Sequence, residues 1–263
     1  MTLRSPLMTV MTGAAQKAAR ALKRDFGEVE QLQVSRKGPS DFVSAADLRA
    51  ERTLRQELTK ARPKFGFLLE EGGEIKGEDP RHRWIIDPID GTTNFLHGIP
   101  HFAISIGLEM DGEIIAGLVF NPVTDEMFVA EKGKGAFLND HRLRVSARTD
   151  LTDAVIATGI PHHGRGEHGP YLKVLGRVMA AVAGIRRMGT ASLDLAYVAA
   201  GRCDGYWETG LQPWDMAAGL ILVREAGGFV TEVDGGKTPL ASGSVLATNA
   251  KLHKGLQGIL NQD

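Results

Sequence analysis

The chain has 263 residues, and its 31 Lys+Arg against 32 Asp+Glu leave a formal net charge of −1 with His neutral. That balance argues against the basic excess usual in proteins that bind nucleic acid or membrane surfaces. With 43% hydrophobic and 24% charged residues, the composition argues against disorder and coiled coil and suits a chain that buries a large core or two abutting sub-cores. A single cysteine, Cys203, forms neither an intramolecular disulfide nor a thiolate metal site alone, which fits a reducing cytoplasm. No stretch approaches the ~18 consecutive apolar residues of a membrane span, and Met1 to Val10 lacks the apolar core of an export signal.

In chain order, Leu7, Val10, Met11, Ala14, Ala18, Ala21 and Leu22 keep helical spacing behind Pro6, predicting a first amphipathic helix. A polar stretch around Lys37–Ser40 precedes a second predicted helix from Ser44 to Lys60, with Asp47 in its first turn and Arg62-Pro63 as its stop. Phe65–Leu69 looks like a strand, and Arg83–Asp87 reads as a short buried strand ending at Pro88. Phe102–Leu108, Ile114–Phe120 and Met127–Ala130 predict antiparallel strands, with Asp111-Gly112 as a hairpin turn and Asn139-Asp140 as another turn. In the second half, strands are expected at Ala154–Ala157, Gly228–Val233 and Val245–Thr248. Helices are expected at Pro170–Ala183, Ser192–Ala200 and Pro213–Ala226, the last capped by Gly227-Gly228. With no low-complexity linker, the reading is one compact α+β unit with sub-regions of about 1–145 and 146–263.

The chemistry concentrates in Asp87-Pro88-Ile89-Asp90-Gly91-Thr92-Thr93-Asn94-Phe95, which packs two carboxylates, a glycine turn and two hydroxyls into the step from a strand to a short helix. Two carboxylates from one loop suit a hard divalent cation that keeps water and phosphate oxygens in its shell. The N–H groups of Gly91 and Thr92 would point at phosphate. Upstream, Glu70-Glu71 sits at a strand end, a pattern that alone also fits a solvated surface. Downstream, Trp214-Asp215 opens the Pro213 helix, where capping by itself accounts for an aspartate.

Taken together these residues resemble the signatures of the inositol monophosphatase family. The set is Glu70-Glu71, Asp87-x-x-Asp90-Gly91-Thr92-Thr93, Trp214-Asp215-Met216-Ala217-Ala218-Gly219 and Glu225-Ala226-Gly227-Gly228, preceded by Asp41-Phe42-Val43-Ser44-Ala45-Ala46-Asp47. The resemblance spans Lys37 to Gly228, and Arg187–Tyr197 with Trp207-Glu208 looks closest to the bacterial inositol-1-monophosphatases. It implies a layered αβαβα sandwich of the sugar-phosphatase type, assembled as a homodimer.

Residue by residue, the resemblance implies that Glu70, Asp87 and the carbonyl of Ile89 bind one Mg²⁺. Asp87, Asp90 and Asp215 bind a second, and Glu70 reaches a weaker third through water. Thr92 and Glu70 orient the attacking water, with Asp47 hydrogen-bonded to Thr92. Asp90, Glu208 and the backbone around Gly189, Thr190 and Ala191 hold the polyol, and Gly91, Thr92 and Asp215 complete the substrate contacts. Inhibition by Li⁺ at the second metal position is a further implication.

Other residues admit plainer readings. The adjacent His162 and His163 are poorly spaced to share one ion, and His97 and His101 shape the loop around Pro100. Arg186-Arg187 suits either an anionic substrate group or a loop or subunit contact. Cys203 reads as inert packing, and Lys37 matches a lysine near the family's metal site, with a solvated lysine as the competing reading. Two features depart from the common pattern: Gln212-Pro213 stands where some relatives carry a His-Cys pair, and the Pro161–Gly169 loop is compositionally its own.

The expected activity is therefore Mg²⁺-dependent hydrolysis of myo-inositol 1-phosphate or a related small polyol phosphate. The same chemistry on histidinol phosphate, fructose 1,6-bisphosphate, a nucleotide 3′-phosphate or a dinucleotide phosphate is the nearest alternative. A regulatory binding protein of the transcription machinery is the alternative of another class. The expected partner is a small-molecule phosphate monoester, with no membrane and no direct nucleic-acid binding.

Overall fold

The computed structural model of the protein describes residues 5–28, 34–38, 41–162 and 166–262, of which 34–38 and 41–43 are described by their backbone alone. Two sheets and their helices stack as alternating layers. Helices α1 (Pro6–Gly27) and α2 (Ala45–Ala61) cover one face of an eight-stranded sheet, with Met11, Leu22, Leu54, Trp84 and Ile106 in the shared core. The other face packs on α5 (Ala191–Ala199) and α6 (Pro213–Glu225), joined from beyond by Tyr206 and Val245 of a five-stranded sheet. The outer face of that second sheet packs Ile156, Trp207 and Leu246 against α4 (His168–Ala181) and α8 (His253–Leu260) through Val178, Leu256 and Leu260. The order is α/β/α/β/α, the expected sandwich, with a core in each of the gaps between layers.

The large sheet comprises β3 (Phe65–Leu69), β4 (Gly73–Ile75), β5 (Asp79–Asp90), β6 (Ala103–Met110), β7 (Glu113–Asn121), β8 (Glu126–Glu131), β9 (Gly135–Leu138) and β10 (His141–Arg142). Their order is β10-β9-β8-β7-β6-β5-β3-β4, antiparallel except where β3 runs parallel to β5. The β6–β7 turn is the expected hairpin, with Asp111 at φ 51° and Gly112 at φ 81°, the positive pair that matches strand twist.

The small sheet runs β12 (Gly184–Arg186), β11 (Val155–Thr158), β13 (Gly205–Glu208), β15 (Val245–Thr248), β14 (Phe229–Thr231). Here β11 is parallel to both neighbours, and β15 is antiparallel to both of its own. Before α2, β1 (Val34–Gly38) and β2 (Asp41–Ser44) form an antiparallel ribbon where the sequence suggested only a polar stretch.

Two further differences from the expected elements bear on the site. Strand β5 does not stop at Pro88 but continues to Asp90, with its register on β6 shifted between Asp87 and Asp90. Proline has no N–H to give a ladder, and this irregularity is where one is not required. Helix α4 begins at His168, and the short strands β4, β9, β10, β12 and β13 and the helices α7 (Pro239–Ser242) and α8 carry too little local pattern to be read as elements, although Leu252, Leu256 and Leu260 keep helical spacing along α8.

Helix α6 lies unusually close to the large sheet. Gly107 and Gly117 pair across β6 and β7. A Cβ on Gly117 would fall 2.6 Å from the backbone oxygen of Ala218, and one on Gly107 would fall 2.8 Å from the Ala217 Cβ. The missing side chains form the trough in which Ala217-Ala218 sits, and that contact sets the height of the helix N-terminus carrying Asp215. We predict that Gly117→Ala, which must push against backbone, costs about 1–3 kcal/mol, read as a lower urea midpoint at unchanged slope; an unchanged midpoint would show that the helix rides free of the sheet.

Candidate active site

The acidic residues are spread from Glu70 to Asp215 along the sequence, and the end of β3, strand β5 and helix α6 bring them together. Asp87, Asp90 and Asp215 each place a carboxylate oxygen within 4.8 Å of the others. Asp87 and Asp90 lie three apart on β5, a spacing that strict alternation would send to opposite faces. The register shift between them removes that constraint. Asp215 arrives from the first turn of α6, whose start is tied to the sheet by a hydrogen bond from Ser105 Oγ to the Trp214 carbonyl at 3.1 Å. Ser105 is the cross-strand partner of Asp87, so this one bond registers the helix against the strand that bears the other acids.

Each carboxylate is oriented by a backbone amide. Asp87 Oδ1 accepts from Ile89 N at 2.9 Å, Asp90 Oδ2 from Ser192 N at 2.7 Å, and Asp215 Oδ2 from Gln212 N at 2.8 Å. The Asp215 contact is half of a capping box, so one side chain both starts the helix and faces the site. Glu70 follows β3, its N–H bonded to the Ile86 carbonyl at 3.2 Å, and its carboxyl hydrogen-bonds Asp87. The N–H of its neighbour Glu71 donates to Glu51 Oε2 at 2.9 Å.

Asp47 caps α2 in a reciprocal box with Ser44, accepting from the Ser44 N–H at 2.8 Å, and is fully buried. Its other oxygen stands 3.4 Å from Thr92 Oγ1, which also lies 3.0 Å from the Ile89 carbonyl. The capping that starts a helix thus also holds Thr92. Gly91 stands at φ 92° between β5 and the short α3 (Thr92–Leu96), and a Cβ there would meet Thr190 Oγ1 at 2.4 Å. Only glycine combines that φ with so close an approach.

The acids open on a cleft of about 340 Å³ whose walls include Glu70, Asp90, Thr92, Thr190, Glu208 and Asp215. Gly91, Gly189 and Ala191 line it as well, as do Arg187 and His162. Glu208 ends β13, and the Tyr206 hydroxyl donates to its Oε2 at 2.6 Å. A further acid close enough to feel Glu208 and Asp90, Asp194 on α5, is buried, and its Oδ1 has no hydrogen-bond partner among the described residues.

Electrostatically the site is over-supplied with negative charge. Burial, then Glu70, Asp90 and Asp215, raise Asp87 well above the usual carboxylate range. Burial and the facing Asp215 bring Asp90 to about 7. Burial raises Asp194 as well, reinforced by Glu208 and Asp90. Carboxylates held this close favour either shared protons or a cation. The donors are all hard oxygens, the set that suits a divalent cation of the Mg²⁺ type rather than a soft metal. The residues present therefore fit a bound divalent ion.

The structure brings together Glu70, Asp87, Ile89, Asp90, Thr92 and Asp215, with Asp47 behind them and Gly189, Thr190, Ala191 and Glu208 across the cleft. His101 is half-buried and stacks edge-on against Tyr197 at 5.8 Å, a packing role. Burial pushes the Cys203 thiol up to about 12, consistent with inert packing. Of the two arginines, Arg187 lines the cleft while Arg186 bonds its own neighbour's carbonyl at 2.9 Å. His163 and the Lys37 side chain lie outside the described residues.

Sequence reasoning passed over Asn94, whose Nδ2 donates to the carbonyls of His101 at 2.8 Å and Met188 at 2.9 Å. It clasps the loop of the DPIDGTT string to the loop that supplies Gly189 and Thr190. Its place within that string was the available signal. Gly159, where a Cβ would strike Glu208, was also missed, because it stands in no recognisable local pattern, and Asp194 was given no role although it lies within the Arg187–Tyr197 stretch.

A layered α/β/α/β/α sandwich with hard-oxygen carboxylates converging beside a small polar cleft defines a metal-dependent phosphatase. The model of the inositol monophosphatase family matches residues 3–262, and the chain belongs to that family. It is 63% identical over 259 residues to the inositol-1-monophosphatase of Rhizobium meliloti (strain 1021), covering 98% of this chain and 97% of that protein. The crystal structure of extragenic suppressor protein suhB from Bartonella henselae superimposes with a TM-score of 0.96 at 60% identity, covering 98% of this chain and 99% of that one. Nus factor SuhB of Salmonella typhimurium (strain 14028s / SGSC 2262) is 41% identical over 251 residues, covering 95% of this chain and 94% of that protein. No helix among the described residues is long and apolar enough to cross a membrane.

The raised acids carry a pH prediction. A folded-state value of about 7 for Asp90 means that the native protein keeps a proton which the unfolded chain releases at lower pH. Its contribution to metal-free stability is therefore lost as pH rises from the ordinary carboxylate range through about 7. A divalent cation replaces that proton, so millimolar Mg²⁺ should raise the melting temperature of chelator-treated protein by several degrees near pH 8 and by much less near pH 5. In Asp90→Asn the pH dependence of this metal-induced shift should flatten; a shift of equal size at both pH values would contradict the assignment.

Proposed function

We propose that the protein is a Mg²⁺-dependent phosphomonoesterase that hydrolyses myo-inositol 1-phosphate, or a closely related small polyol phosphate, to the free alcohol and inorganic phosphate. The observation that carries this reading is the convergence of Asp87, Asp90 and Asp215, with Glu70 beside them, on one cleft. The 63% identity to a protein named inositol-1-monophosphatase supports the substrate class. Glu70, Asp87 and the Ile89 carbonyl would hold one ion and Asp87, Asp90 and Asp215 a second, with a third, weaker ion reached by Glu70. Bound there, Mg²⁺ supplies neutralisation of phosphate charge and a more acidic water.

The chain's own residues do the positioning. Thr92 is held between the Ile89 carbonyl and Asp47, so its hydroxyl has a fixed direction in which to orient the attacking water. Glu70, which lines the same cleft, would take that water's proton, and the leaving alkoxide would take a proton from a solvent water to become the free alcohol. Gly91 and Thr92 add backbone N–H groups toward the phosphate. Beyond the phosphate, Asp90, Glu208 and the Gly189–Ala191 backbone present acceptors to alcohol hydroxyls. A wall of acceptors favours a polyol, because an alcohol without hydroxyl donors leaves those groups unpaired.

As part of the same reading, the protein works in the cytoplasm as a homodimer, and each subunit is one unit with sub-regions of about 1–145 and 146–263. A second reading draws on the relative named Nus factor SuhB: a binding role in the transcription machinery alongside catalysis. Retention of transcription-complex proteins by both wild type and Asp90→Asn in a pull-down would support it, and retention by neither would remove it.

Phosphate release from inositol 1-phosphate, histidinol phosphate, fructose 1,6-bisphosphate and adenosine 3′,5′-bisphosphate, with and without Mg²⁺, tests the main reading. A Mg²⁺-dependent preference for inositol 1-phosphate is expected, and Asp90→Asn should lower kcat by about 10³-fold with an unchanged far-UV CD spectrum. Preference for another substrate moves the name and keeps the mechanism, whereas full turnover in Asp90→Asn removes the metal assignment. Li⁺ at tens of millimolar should slow turnover at saturating Mg²⁺; an unaffected rate would count against the second ion.

A further inference from the structure

Beside the acidic cleft lies a second cavity of about 270 Å³ that the reaction as described leaves unused. Both compartments open at the carboxyl ends of the parallel strands β11 and β13, the usual place for ligands in such sheets. They lie on opposite sides of these strands. Tyr206 and Glu208 face the acids, while Trp207, one residue over, faces α4 and α8.

The boundary between the compartments is thin: Gly159, Ile160 and Glu208 line both. A Cβ on Gly159 would fall 1.9 Å from Glu208 Cδ, so no side chain but that of glycine leaves the Glu208 carboxylate where it stands.

The second compartment has a different chemistry from the first. Its walls include Trp207, Val174, Leu260 and the ring of Tyr171, whose hydroxyl is already paired with Thr158 Oγ1 at 3.2 Å, with Glu167, Glu208 and Thr209 as its polar members. Most of what faces the space is ring face and aliphatic carbon. Ile160, at the junction, is 41% exposed, a large apolar side chain presented to both cavities rather than packed away.

We propose that this compartment is an annex to the phosphatase site that receives an apolar or aromatic arm of the leaving alcohol. The inference rests on the phosphomonoesterase reading and extends its substrate class. Substrates would thus include amphiphilic phosphate monoesters, with phosphate at the acids, any hydroxyl at Glu208 and an apolar arm past Gly159. Burial of such an arm contributes binding in proportion to the apolar area removed from water.

The test compares n-propyl, 3-phenylpropyl and 5-phenylpentyl phosphates, primary alkyl esters of closely matched leaving-group reactivity, with inositol 1-phosphate in parallel. The wild type should show a KM for at least one phenylalkyl ester about tenfold or more below that for n-propyl phosphate. Val174→Trp, which fills the annex, should abolish this preference while changing kcat/KM for inositol 1-phosphate by less than about twofold. Thr209→Trp, at an exposed position on the rim, is a second filling variant less demanding on the core.

Equal KM values across the esters in a wild type that turns over inositol 1-phosphate would overturn the annex alone. So would a preference that survives both filling variants. Loss of turnover on every ester and on inositol 1-phosphate would overturn the phosphatase reading and the annex with it.

Discussion

The structure depends on keeping several carboxylates closer together than their charges favour. Asp87 and Asp90 are buried, and Asp215 joins them within 4.8 Å. Desolvation and mutual repulsion both act against this arrangement. Four directed contacts oppose that tendency. The amides of Ile89, Ser192 and Gln212 each hold one acid, and the Ser105–Trp214 bond ties α6 to the strand pair that carries the others. A site built this way is poised for a small, highly charged ligand, since a bound divalent cation turns the repulsion into attraction.

The layered fold is what makes such rigidity affordable. Helix α6 rests in the trough of Gly107 and Gly117, and Gly219 on the same helix lets Leu195 of α5 approach closely. Close-packed interiors transmit small displacements rather than absorbing them. The dimension that matters for catalysis, the reach from Asp215 to Asp87, is therefore set by packing at positions with no chemistry of their own. Asn94 has a similar part in linking the phosphate loop to the Met188–Thr190 loop. Through that clasp the alcohol side of the cleft is held in register with the metal side.

Much of the site was legible because its residues sit in long local strings. Asp87–Phe95 combines proline, glycine, carboxylates and hydroxyls in an order that few other purposes require, and Trp214-Asp215 after Pro213 announces a helix start. Glu208 was legible by resemblance alone, because nothing around Tyr206-Trp207-Glu208 marks a strand four residues long. Short strands such as β9, β12 and β13 derive their pairing from neighbours distant in the chain, so local periodicity is silent about them. Pro88 misled for a related reason. Proline normally ends a central strand, and only the register shift against β6 shows that this one does not have to.

The sequence by itself determined the residue types at the site, the α+β class and the helix starts, because capping, turn chemistry and amphipathic spacing act over a few residues. Tertiary structure alone decided which carboxylates meet, since a strand places residues three apart on opposite faces until a register shift intervenes. It alone made an active-site support of Asp47, a residue whose local role is to cap α2. It also divided the space around Glu208 into a polar cleft and an apolar annex, because Gly159 and Glu208 lie 49 positions apart and meet only when β11 and β13 pair. Local rules choose the groups, while distances between groups belong to the packing of layers.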